Sequence, residues 1–480
     1  MNKSIVFYIL GWIMIFEGAL MVLPLGVSLL YSETNGALSF LLTIAICELC
    51  GLLLILKKPK NNIVYLREGF VITALGWIFL SIIGSLPFLF SGSVSNPIDA
   101  MFETVSGFTT TGSSILSDVE ALPRGVLFWR SFTHWIGGMG VLVFLLMIKP
   151  LSGASNVNIM KAESPGPQVE KLVPKLRSTA RILYGIYIVM TIVQIILLLI
   201  GKMPLFDAVT ITFGSAGTGG FGIKNDSMAS YSPYLQNVVT IFMILFGVNF
   251  SFYFLSLQGK IKRALIIEEV RWYFIIIIAA IAIISFNTKG LFANLADTIR
   301  HAAFQVGSII TTTGYATTDF NLWPQTSKTI LVILMFIGAC AGSTGGGIKV
   351  SRLVILVKSF HEELKTMLHP QNMSKLKMDG KTVAHEVVRM TNVFFITYMI
   401  LFTASVLIIS IDNKDMVTNF TSVAATLNNI GPGLELAGPT QNFGHFSGFS
   451  KFVFIFDMLA GRLELFPLLL LFKKETWQSF

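Results

Sequence analysis

Charged residues are scarce in this sequence. Lys, Arg, Asp and Glu together make up 13% of the 480 residues, whereas hydrophobic residues make up 53%. A soluble domain carries about 25% charged residues, so the composition excludes an ordinary soluble protein. Apolar stretches of roughly 20 residues, the length that crosses a bilayer, recur along the chain and predict an integral membrane protein.

Cysteine is also rare, with Cys47, Cys50 and Cys340 as its three examples. An odd number argues against a disulfide framework. Cys47 and Cys50 have the spacing of a metal-binding pair, but they lie inside an apolar run with no second pair, so we interpret them as buried thiols. The sequence contains no recognisable nucleophile–base pair, metal-ligand cluster or paired catalytic carboxylates, and we expect no enzymatic activity.

The net charge is +9, and the basic residues are unevenly distributed along the chain. Lys and Arg cluster in loops that we place on one side of the membrane, among them a basic loop with Lys161, Lys171 and Lys175. By the positive-inside rule this side is cytoplasmic, and we place both termini there. The first apolar stretch, residues 5–30, is too long for a signal peptide and is expected to be retained. A nucleic-acid partner would need this charge on one exposed face, so none is expected.

Four similar short segments are present, each with a central glycine and hydrophobic helices on both sides. The central glycines are Gly112, Gly219, Gly314 and Gly431, at near-regular spacing. One such segment is an ordinary turn, but four on the same predicted side of the membrane indicate a pseudo-fourfold ring. Backbone carbonyls in a ring can replace the hydration shell of K⁺, and glycine permits the strained dihedral angles. The predicted K⁺ ligands are Thr110, Thr111, Gly112, Gly217, Thr218, Gly219, Thr312, Thr313, Gly314, Asn429, Ile430 and Gly431.

From these segments we predict an all-α polytopic membrane protein with a central ion pore. An N-terminal transmembrane hairpin precedes four repeats, each with a helix, a re-entrant pore helix, a filter segment and a second helix. The pore helices end at the filter, so the negative ends of their dipoles favour a cation. The predicted units are 1–68 for the hairpin and 69–160, 161–264, 265–385 and 386–480 for the repeats. The pore helices are expected at 97–107, 204–213, 295–309 and 416–427, and the second helices at 126–148, 235–257, 329–360 and 451–472.

A run of glycines interrupts the second helix of the third repeat. Three consecutive glycines cost about 2–3 kcal/mol of helix propensity relative to alanine, so we expect the helix to open beneath the filter into a movable plug. A kink for close helix packing is the alternative. A phosphate-binding loop does not fit the pattern, because Val350 follows Lys349 where that motif has Ser or Thr after its Lys. The predicted gate residues are Gly342, Ser343, Thr344, Gly345, Gly346 and Gly347.

Arg462 lies within an apolar stretch of the fourth repeat. An intramembrane arginine is a functional candidate, here as an electrostatic barrier near the pore or as a hydrogen-bond donor to the gate. The alternative is a structural pair with Glu464 or Asp457. We expect Glu103 to brace the first pore helix rather than to bind the ion, and His134 to be a packing or interfacial residue.

The sequence resembles the TrkH/TrkG potassium-uptake proteins of bacteria, in the superfamily that includes KtrB and plant HKT transporters. The resemblance extends nearly from end to end, and the N-terminal hairpin is the element that distinguishes TrkH-like members from shorter KtrB-like ones. It rests on the threonine-rich first filter segment and on strings of residues in the expected order, at 67–70, 134–140, 162–167, 219–221, 340–349, 428–433 and 461–464.

The resemblance implies several properties beyond those that the residue pattern indicates. Members of this family take up K⁺ in the bacterial inner membrane, form homodimers and pair with a cytoplasmic TrkA-like ring that binds ATP, ADP or NAD(H). The glycine run matches the family's intramembrane gate, and Arg462 matches its pore arginine. We expect K⁺ as the transported ion and no nucleotide bound by this chain.

Two other classes of function make different predictions. A secondary transporter for another solute, with broken helices at a midplane site, predicts inverted repeats, whereas the four repeats here run in the same sense. A membrane-embedded enzyme requires acid–base residues that converge at one depth, and the sequence offers none that we can identify.

Overall fold

The computed structural model describes residues 1–59, 64–140, 176–369 and 375–478. The predicted basic loop with Lys161, Lys171 and Lys175, and the string at 162–167, lie outside these ranges. Within them the chain is nearly all helical, and the single sheet is a short antiparallel hairpin that pairs Lys377–Met378 with Lys381–Thr382.

The N-terminal hairpin consists of the helices Lys3–Leu30 and Thr34–Leu56. The two helices approach closely at a pair of glycines, since a Cβ on Gly11 would lie 2.9 Å from the carbonyl oxygen of Gly51. Small residues of this kind allow helix backbones to pack tightly within a membrane. The first helix also packs against the first repeat, so the hairpin supports the pore-forming part of the chain from outside.

The described helices can be grouped into four similar sets that correspond to the repeats of the prediction. Their first helices are Leu66–Gly84, Leu176–Ile200, Glu268–Asn287 and His385–Ile409. Their pore helices are Pro97–Phe108, Leu205–Gly217, Leu295–Ile310 and Met416–Leu427. The second helices begin with Arg124–Met139, Pro233–Phe246, Gln325–Ile337 and Gly448–Arg462. The remaining α-helices are Leu86–Phe90, Phe250–Leu257, Ile261–Ile266, Val350–Leu368, Phe466–Leu470 and Lys474–Trp477, and the 3₁₀ turns are Phe320–Leu322, Ser410–Asp412, Glu435–Ala437 and Phe443–His445.

Side chains at the N-termini fix where three of the pore helices begin. The Asn96, Asn294 and Asp415 side chains each accept a hydrogen bond from a backbone N–H of the first turn. The remaining pore helix follows Pro204, whose fixed φ angle suits the residue before a helix. Capping residues of this kind satisfy N–H groups that have no partner within the helix, which matters most at membrane depth.

Two of the predicted second helices are interrupted where the sequence analysis placed continuous helices. The prediction of a continuous helix at 235–257 is wrong, because the helix breaks after Phe246 and resumes at Phe250 with a bend of 89°. The Asn249 side chain caps the new segment by accepting from Ser251 N at 2.9 Å. The prediction of a continuous helix at 451–472 is also wrong, because the helix ends at Arg462. Glu464 and Leu465, which follow, both have positive φ.

The predicted interruption in the third repeat is present. Gln325–Ile337 ends at Gly338, and the helix resumes only with Val350–Leu368. These breaks leave six described helices long and apolar enough to cross a membrane, or seven if the bent pair in the second repeat is counted as one span. Residues 338–349, which we call the glycine loop, therefore have irregular backbone among transmembrane helices.

Candidate ion filter and glycine loop

Each filter segment has the same backbone pattern where its pore helix ends. A residue in the left-handed region is followed two positions later by a glycine with positive φ. These pairs are Thr110 and Gly112 with φ of 58° and 81°, Thr218 and Gly220 with 55° and 73°, Thr312 and Gly314 with 58° and 90°, and Asn429 and Gly431 with 56° and 105°. Because the same unusual pair recurs four times, the four segments share one structural register.

This pattern corrects the predicted register of the second segment by one residue. Gly220, rather than Gly219, is the equivalent of Gly112, and Gly219 corresponds to Thr111. Gly217 is the last residue of its pore helix, so it precedes the equivalent positions. The sequence could not decide between two adjacent glycines, because both lack a side chain and only their dihedral angles differ.

The four segments converge in a closed cycle of contacts. A Cβ on Gly112 would lie 2.0 Å from the Gly219 carbonyl oxygen, and one on Gly220 would lie 1.9 Å from that of Thr313. The cycle continues with 2.3 Å from Gly314 to the Ile430 oxygen and closes with 2.9 Å from Gly431 to the Thr111 oxygen. Each glycine thus leaves room for a carbonyl of the next segment, and any side chain there would displace it.

Threonine hydroxyls brace the filter backbone. The hydroxyls of Thr109 and Thr111 lie 2.8 Å apart, and those of Thr311 and Thr313 lie 2.7 Å apart in the third segment. Asn429 of the fourth segment donates to the Thr111 hydroxyl at 2.9 Å and so connects the fourth repeat to the first. These side chains hold neighbouring segments in place and leave the backbone carbonyls as the main candidate ligands.

His134 has a larger role than the predicted packing or interfacial one. The buried ring approaches the Gly107 carbonyl at 2.8 Å through Nδ1, and Nε2 accepts a hydrogen bond from Phe221 N at 3.2 Å. A Cβ on Gly219 would lie 2.2 Å from His134 Nδ1, so the ring also packs directly on the second filter segment. The imidazole therefore joins the first repeat to the second. The sequence offered one indication of this role: His134 is a polar residue that lies beside glycines in an apolar helix.

Glu103 and Arg130 form a buried ion pair behind the first filter segment. Arg130 Nε lies 2.5 Å from Glu103 Oε1, and both side chains are at most 3% exposed. The carboxylate also accepts from Ile115 N at 3.0 Å, while Arg130 donates to the Gly222 carbonyl at 2.8 Å. The pair thus connects the chain after the first filter to the chain after the second. This geometry fits the predicted bracing role of Glu103.

The glycine loop contacts the third and fourth filter segments directly. Gly346 N donates to the Thr312 hydroxyl at 2.6 Å, and Gly347 N donates to the Asn428 carbonyl at 3.1 Å. A Cβ on Gly345 would lie 2.8 Å from the Thr311 carbonyl oxygen. Three of the predicted gate residues, Gly345, Gly346 and Gly347, therefore contact the ring at the ends of the pore helices, whereas the Gly342 carbonyl accepts from Phe250 N.

Arg462 lies between the loop and the first filter segment. Its guanidinium donates to the Thr344 carbonyl at 3.1 Å and to the Thr110 hydroxyl at 3.4 Å, and it also donates to the Gly137 carbonyl. This geometry corresponds to the hydrogen-bond donor considered in the sequence analysis. The alternative partners have contacts of their own, since Glu464 pairs with Arg352 and Asp457 accepts from Ser405 at 2.7 Å.

Lys349 also belongs to this site, although no sequence pattern assigned it a role there. Its ammonium donates to the carbonyl of Gly345 within the glycine loop. Together with Arg462, it places two basic side chains against the glycine loop.

Comparison with known proteins adds independent information. The family model TrkH, described as cation transport protein, matches residues 37–479. The Trk system potassium uptake protein TrkH of Salmonella typhimurium is 34% identical over 478 residues, with 98% of each sequence covered. The Trk system potassium uptake protein TrkG of Escherichia coli strain K12 is 32% identical, with 100% of each sequence covered.

A solved structure has the same architecture. The crystal structure of the potassium transporter TrkH from Vibrio parahaemolyticus matches this chain with a TM-score of 0.89 and 31% sequence identity, covering 100% of both chains. The predicted fold class, an all-α polytopic membrane protein, is therefore confirmed.

Proposed function

Because the chain belongs to the TrkH family of cation transport proteins, we propose that it takes up K⁺ across the bacterial inner membrane through the ring of filter segments. The closed cycle of glycine–carbonyl contacts among the four repeats carries this proposal. The proposed ligands are backbone oxygens of Thr110, Thr111, Gly112, Thr218, Gly219, Gly220, Thr312, Thr313, Gly314, Asn429, Ile430 and Gly431.

Backbone carbonyls suit K⁺ because they replace its hydration shell without a fixed negative charge. The pore helices support the same preference, since their C-terminal ends meet the ring and carry partial negative charge. The membrane potential supplies the driving force for entry, about 2.3 kcal/mol for one charge across 100 mV. The dipoles and the potential favour the entry of a cation, and the carbonyl ring suits one that gives up its hydration shell.

The glycine loop is the proposed gate. Its contacts with Thr312 and Asn428 occupy the ends of two filter segments, and Arg462 connects it to a third. In the proposed closed state, these hydrogen bonds hold the loop against the filter segments. The loop and the nearby positive charges then block the passage of the ion. Opening would require the loop to leave the ring, and loss of regular helix at residues 338–349 makes that movement possible.

The proposed assembly is a homodimer that pairs with a cytoplasmic TrkA-like nucleotide-binding ring. Its basis is the family membership together with the names of the relatives, which belong to a Trk system. In this proposal both termini lie in the cytoplasm, which the charge pattern of the loops favours. Regulation by nucleotide would then act on this chain from the cytoplasmic side through the partner.

Ion flux into liposomes tests the proposed function. Purified protein is reconstituted, and uptake of K⁺ and of Na⁺ is measured under an inside-negative potential, with and without a proton gradient. We expect K⁺ uptake to exceed Na⁺ uptake by at least about tenfold, since a carbonyl ring discriminates by size and coordination. Equal uptake of the two ions would contradict the proposed filter. A dependence on the proton gradient would indicate coupled transport instead of channel-like conduction.

A further inference from the structure

One buried carboxylate binds both ends of the glycine loop. Glu269 is the second residue of the helix Glu268–Asn287, and its side chain is buried. Its Oε1 atom accepts from Ala341 N at 2.6 Å, near the beginning of the loop, and from Ser351 N at 3.1 Å, just after the loop. A single side chain therefore fixes the separation of the two ends.

The same carboxylate also reaches the break in the second repeat. Glu269 Oε2 accepts from the Asn249 amide at 3.2 Å, and Asn249 caps the helix that follows that break. Two backbone hydrogen bonds join the break to the loop: Cys340 N donates to the Gly247 carbonyl at 3.1 Å, and Phe250 N donates to the Gly342 carbonyl at 3.0 Å. The two interrupted helices are thus one connected unit, with Glu269 at its centre.

The loss of these contacts would be costly. A buried N–H group that loses its acceptor incurs a desolvation penalty, and removing Glu269 would leave the backbone N–H groups of Ala341 and Ser351 without this acceptor. Because the loop lacks regular structure, anchors at its ends decide whether it stays against the ring.

The helix that carries Glu269 is attached to a surface hairpin. Asp379, in the turn between the strands Lys377–Met378 and Lys381–Thr382, accepts from Glu268 N at 2.6 Å. Lys358 pairs with the Glu268 carboxylate at 2.6 Å and donates to the Lys377 carbonyl at 2.8 Å. The hairpin therefore contacts the residue next to Glu269 and also the helix that follows the glycine loop.

We propose that Glu269 is the positioning residue that holds the glycine loop against the filter, and that the hairpin controls it through Asp379. A displacement of the hairpin moves the N-terminus of the helix Glu268–Asn287, and Glu269 then leaves Ala341 and Ser351. This inference rests on the proposed function for its effect on ion flux. It adds the route by which a cytoplasmic event reaches the gate.

Amide hydrogen exchange on the full chain in lipid nanodiscs tests the role of Glu269 directly. Glu269→Ala removes the acceptor, whereas Glu269→Gln keeps an acceptor without the charge. We expect exchange in peptides covering residues 338–351 to accelerate by at least about tenfold in the alanine variant and by less in the glutamine variant. Glu33→Ala is the matched control, because Glu33 accepts from Arg124 N and Gly125 N at a helix far from the loop along the chain.

Ion flux gives the second measurement. In liposomes without a cytoplasmic partner, both Glu269 variants should raise K⁺ uptake at least about fivefold, whereas Glu33→Ala should leave it unchanged. If exchange at 338–351 is unchanged in both Glu269 variants, Glu269 does not hold the loop and the proposal is wrong. If the alanine variant does not fold, the glutamine variant decides the outcome by the same criterion.

A double-mutant cycle tests the connection to the hairpin. Asp379→Ala should accelerate exchange at 338–351 in the parent chain, but should add little in the Glu269→Ala background, because both changes act on one connection. Additive effects would show that the hairpin acts independently and would overturn that part of the proposal. A wild-type chain that carries K⁺ and Na⁺ equally would instead contradict the proposed function, while the exchange results would still report on the loop.

Discussion

Two separate physical constraints at the residue scale require glycine in the ring. The first is backbone conformation, since Gly112, Gly220, Gly314 and Gly431 all have φ between 73° and 105°. The second is space, because a Cβ at each position would approach a carbonyl oxygen of the next segment. The first constraint applies to all four positions, since each has a backbone conformation that is strained for other residues. The second constraint differs between them, because the space available for a Cβ is not the same.

This difference predicts a graded response to substitution by serine. At Gly220 and Gly112 a Cβ would lie 1.9 and 2.0 Å from the neighbouring carbonyl oxygen, compared with 2.9 Å at Gly431. Gly220→Ser and Gly112→Ser should therefore shift selectivity towards Na⁺ more than Gly431→Ser does, as measured by the ratio of K⁺ to Na⁺ uptake. Gly92→Ser is the control, because Gly92 has φ of 74° but no atom within 4 Å of its Cβ position. An unchanged ratio in Gly112→Ser would count against the filter assignment.

The buried pair of Glu103 and Arg130 leads to a second prediction. Glu103→Gln leaves the guanidinium buried without its counter-charge, and we expect a loss of roughly 3–5 kcal/mol in stability. The double variant Glu103→Gln with Arg130→Met removes both charges and should recover part of this loss. Thermal unfolding in detergent measures the effect.

A more exposed ion pair serves as the control for that experiment. Asp297 and Arg300 lie 2.5 Å apart, with side chains 29% and 16% exposed, and solvent screening makes such a pair worth about 0–1 kcal/mol. Asp297→Asn should therefore change the unfolding temperature little. An equal loss in Glu103→Gln and Asp297→Asn would show that burial does not decide the contribution of the Glu103 pair.

At the scale of helices, the sequence predicted one of the three breaks in the described second helices and missed the other two. Consecutive glycines predicted the interruption in the third repeat, because they lower helix propensity strongly. The break at Gly247 and Asn249 carries only one glycine, and the one after Arg462 falls on Glu464 and Leu465, neither of which signals positive φ. Tertiary contacts fix these conformations, including the pairing of Glu464 with Arg352. Local propensity alone could not reveal them.

The glycine loop yields a prediction for its own length. Deleting residues 345–347 removes the contacts of Gly346 with Thr312 and of Gly347 with Asn428. If the loop obstructs the pathway, the deletion should raise K⁺ uptake in liposomes without a cytoplasmic partner. A matched deletion of residues 289–291, which are exposed and lie between the first helix and the pore helix of the third repeat, controls for shortening as such. Uptake that falls or stays flat in the glycine-loop variant, while the control variant keeps wild-type uptake, would exclude an obstructing role.

Ring closure at the scale of the whole molecule depends on contacts between the first and fourth repeats. Ser113 donates to the Gly431 carbonyl at 2.9 Å, and Lys451 pairs with Asp99 at 2.7 Å. The Met1 nitrogen also donates to the Gln478 carbonyl at 3.0 Å, which connects the start of the N-terminal hairpin to the fourth repeat. The repeated glycine segments predicted this closure, because four equivalent units fill a ring. The particular side chains that join the repeats come from distant positions, which no local pattern indicates.

The arrangement of the repeats across the membrane gives a final prediction. Ala229 is exposed before the broken helix pair Pro233–Phe246 and Phe250–Leu257, and Lys260 is exposed after it. If the pair crosses the bilayer despite its 89° bend, the two positions lie on opposite sides. In a background with Cys47, Cys50 and Cys340 replaced by alanine, Ala229→Cys should react with a membrane-impermeant maleimide on intact cells.

By contrast, Lys260→Cys should react only after the cells are permeabilised, because the positive-inside rule places Lys260, Lys262 and Arg263 in the cytoplasm. Lys474→Cys should behave like Lys260→Cys, since the chain is expected to end on the same side. Labelling of both Ala229→Cys and Lys260→Cys on intact cells would mean that the bent pair re-enters without crossing. The third and fourth repeats would then have the opposite orientation to the first, and their filter segments could not share one side of the membrane with Gly112.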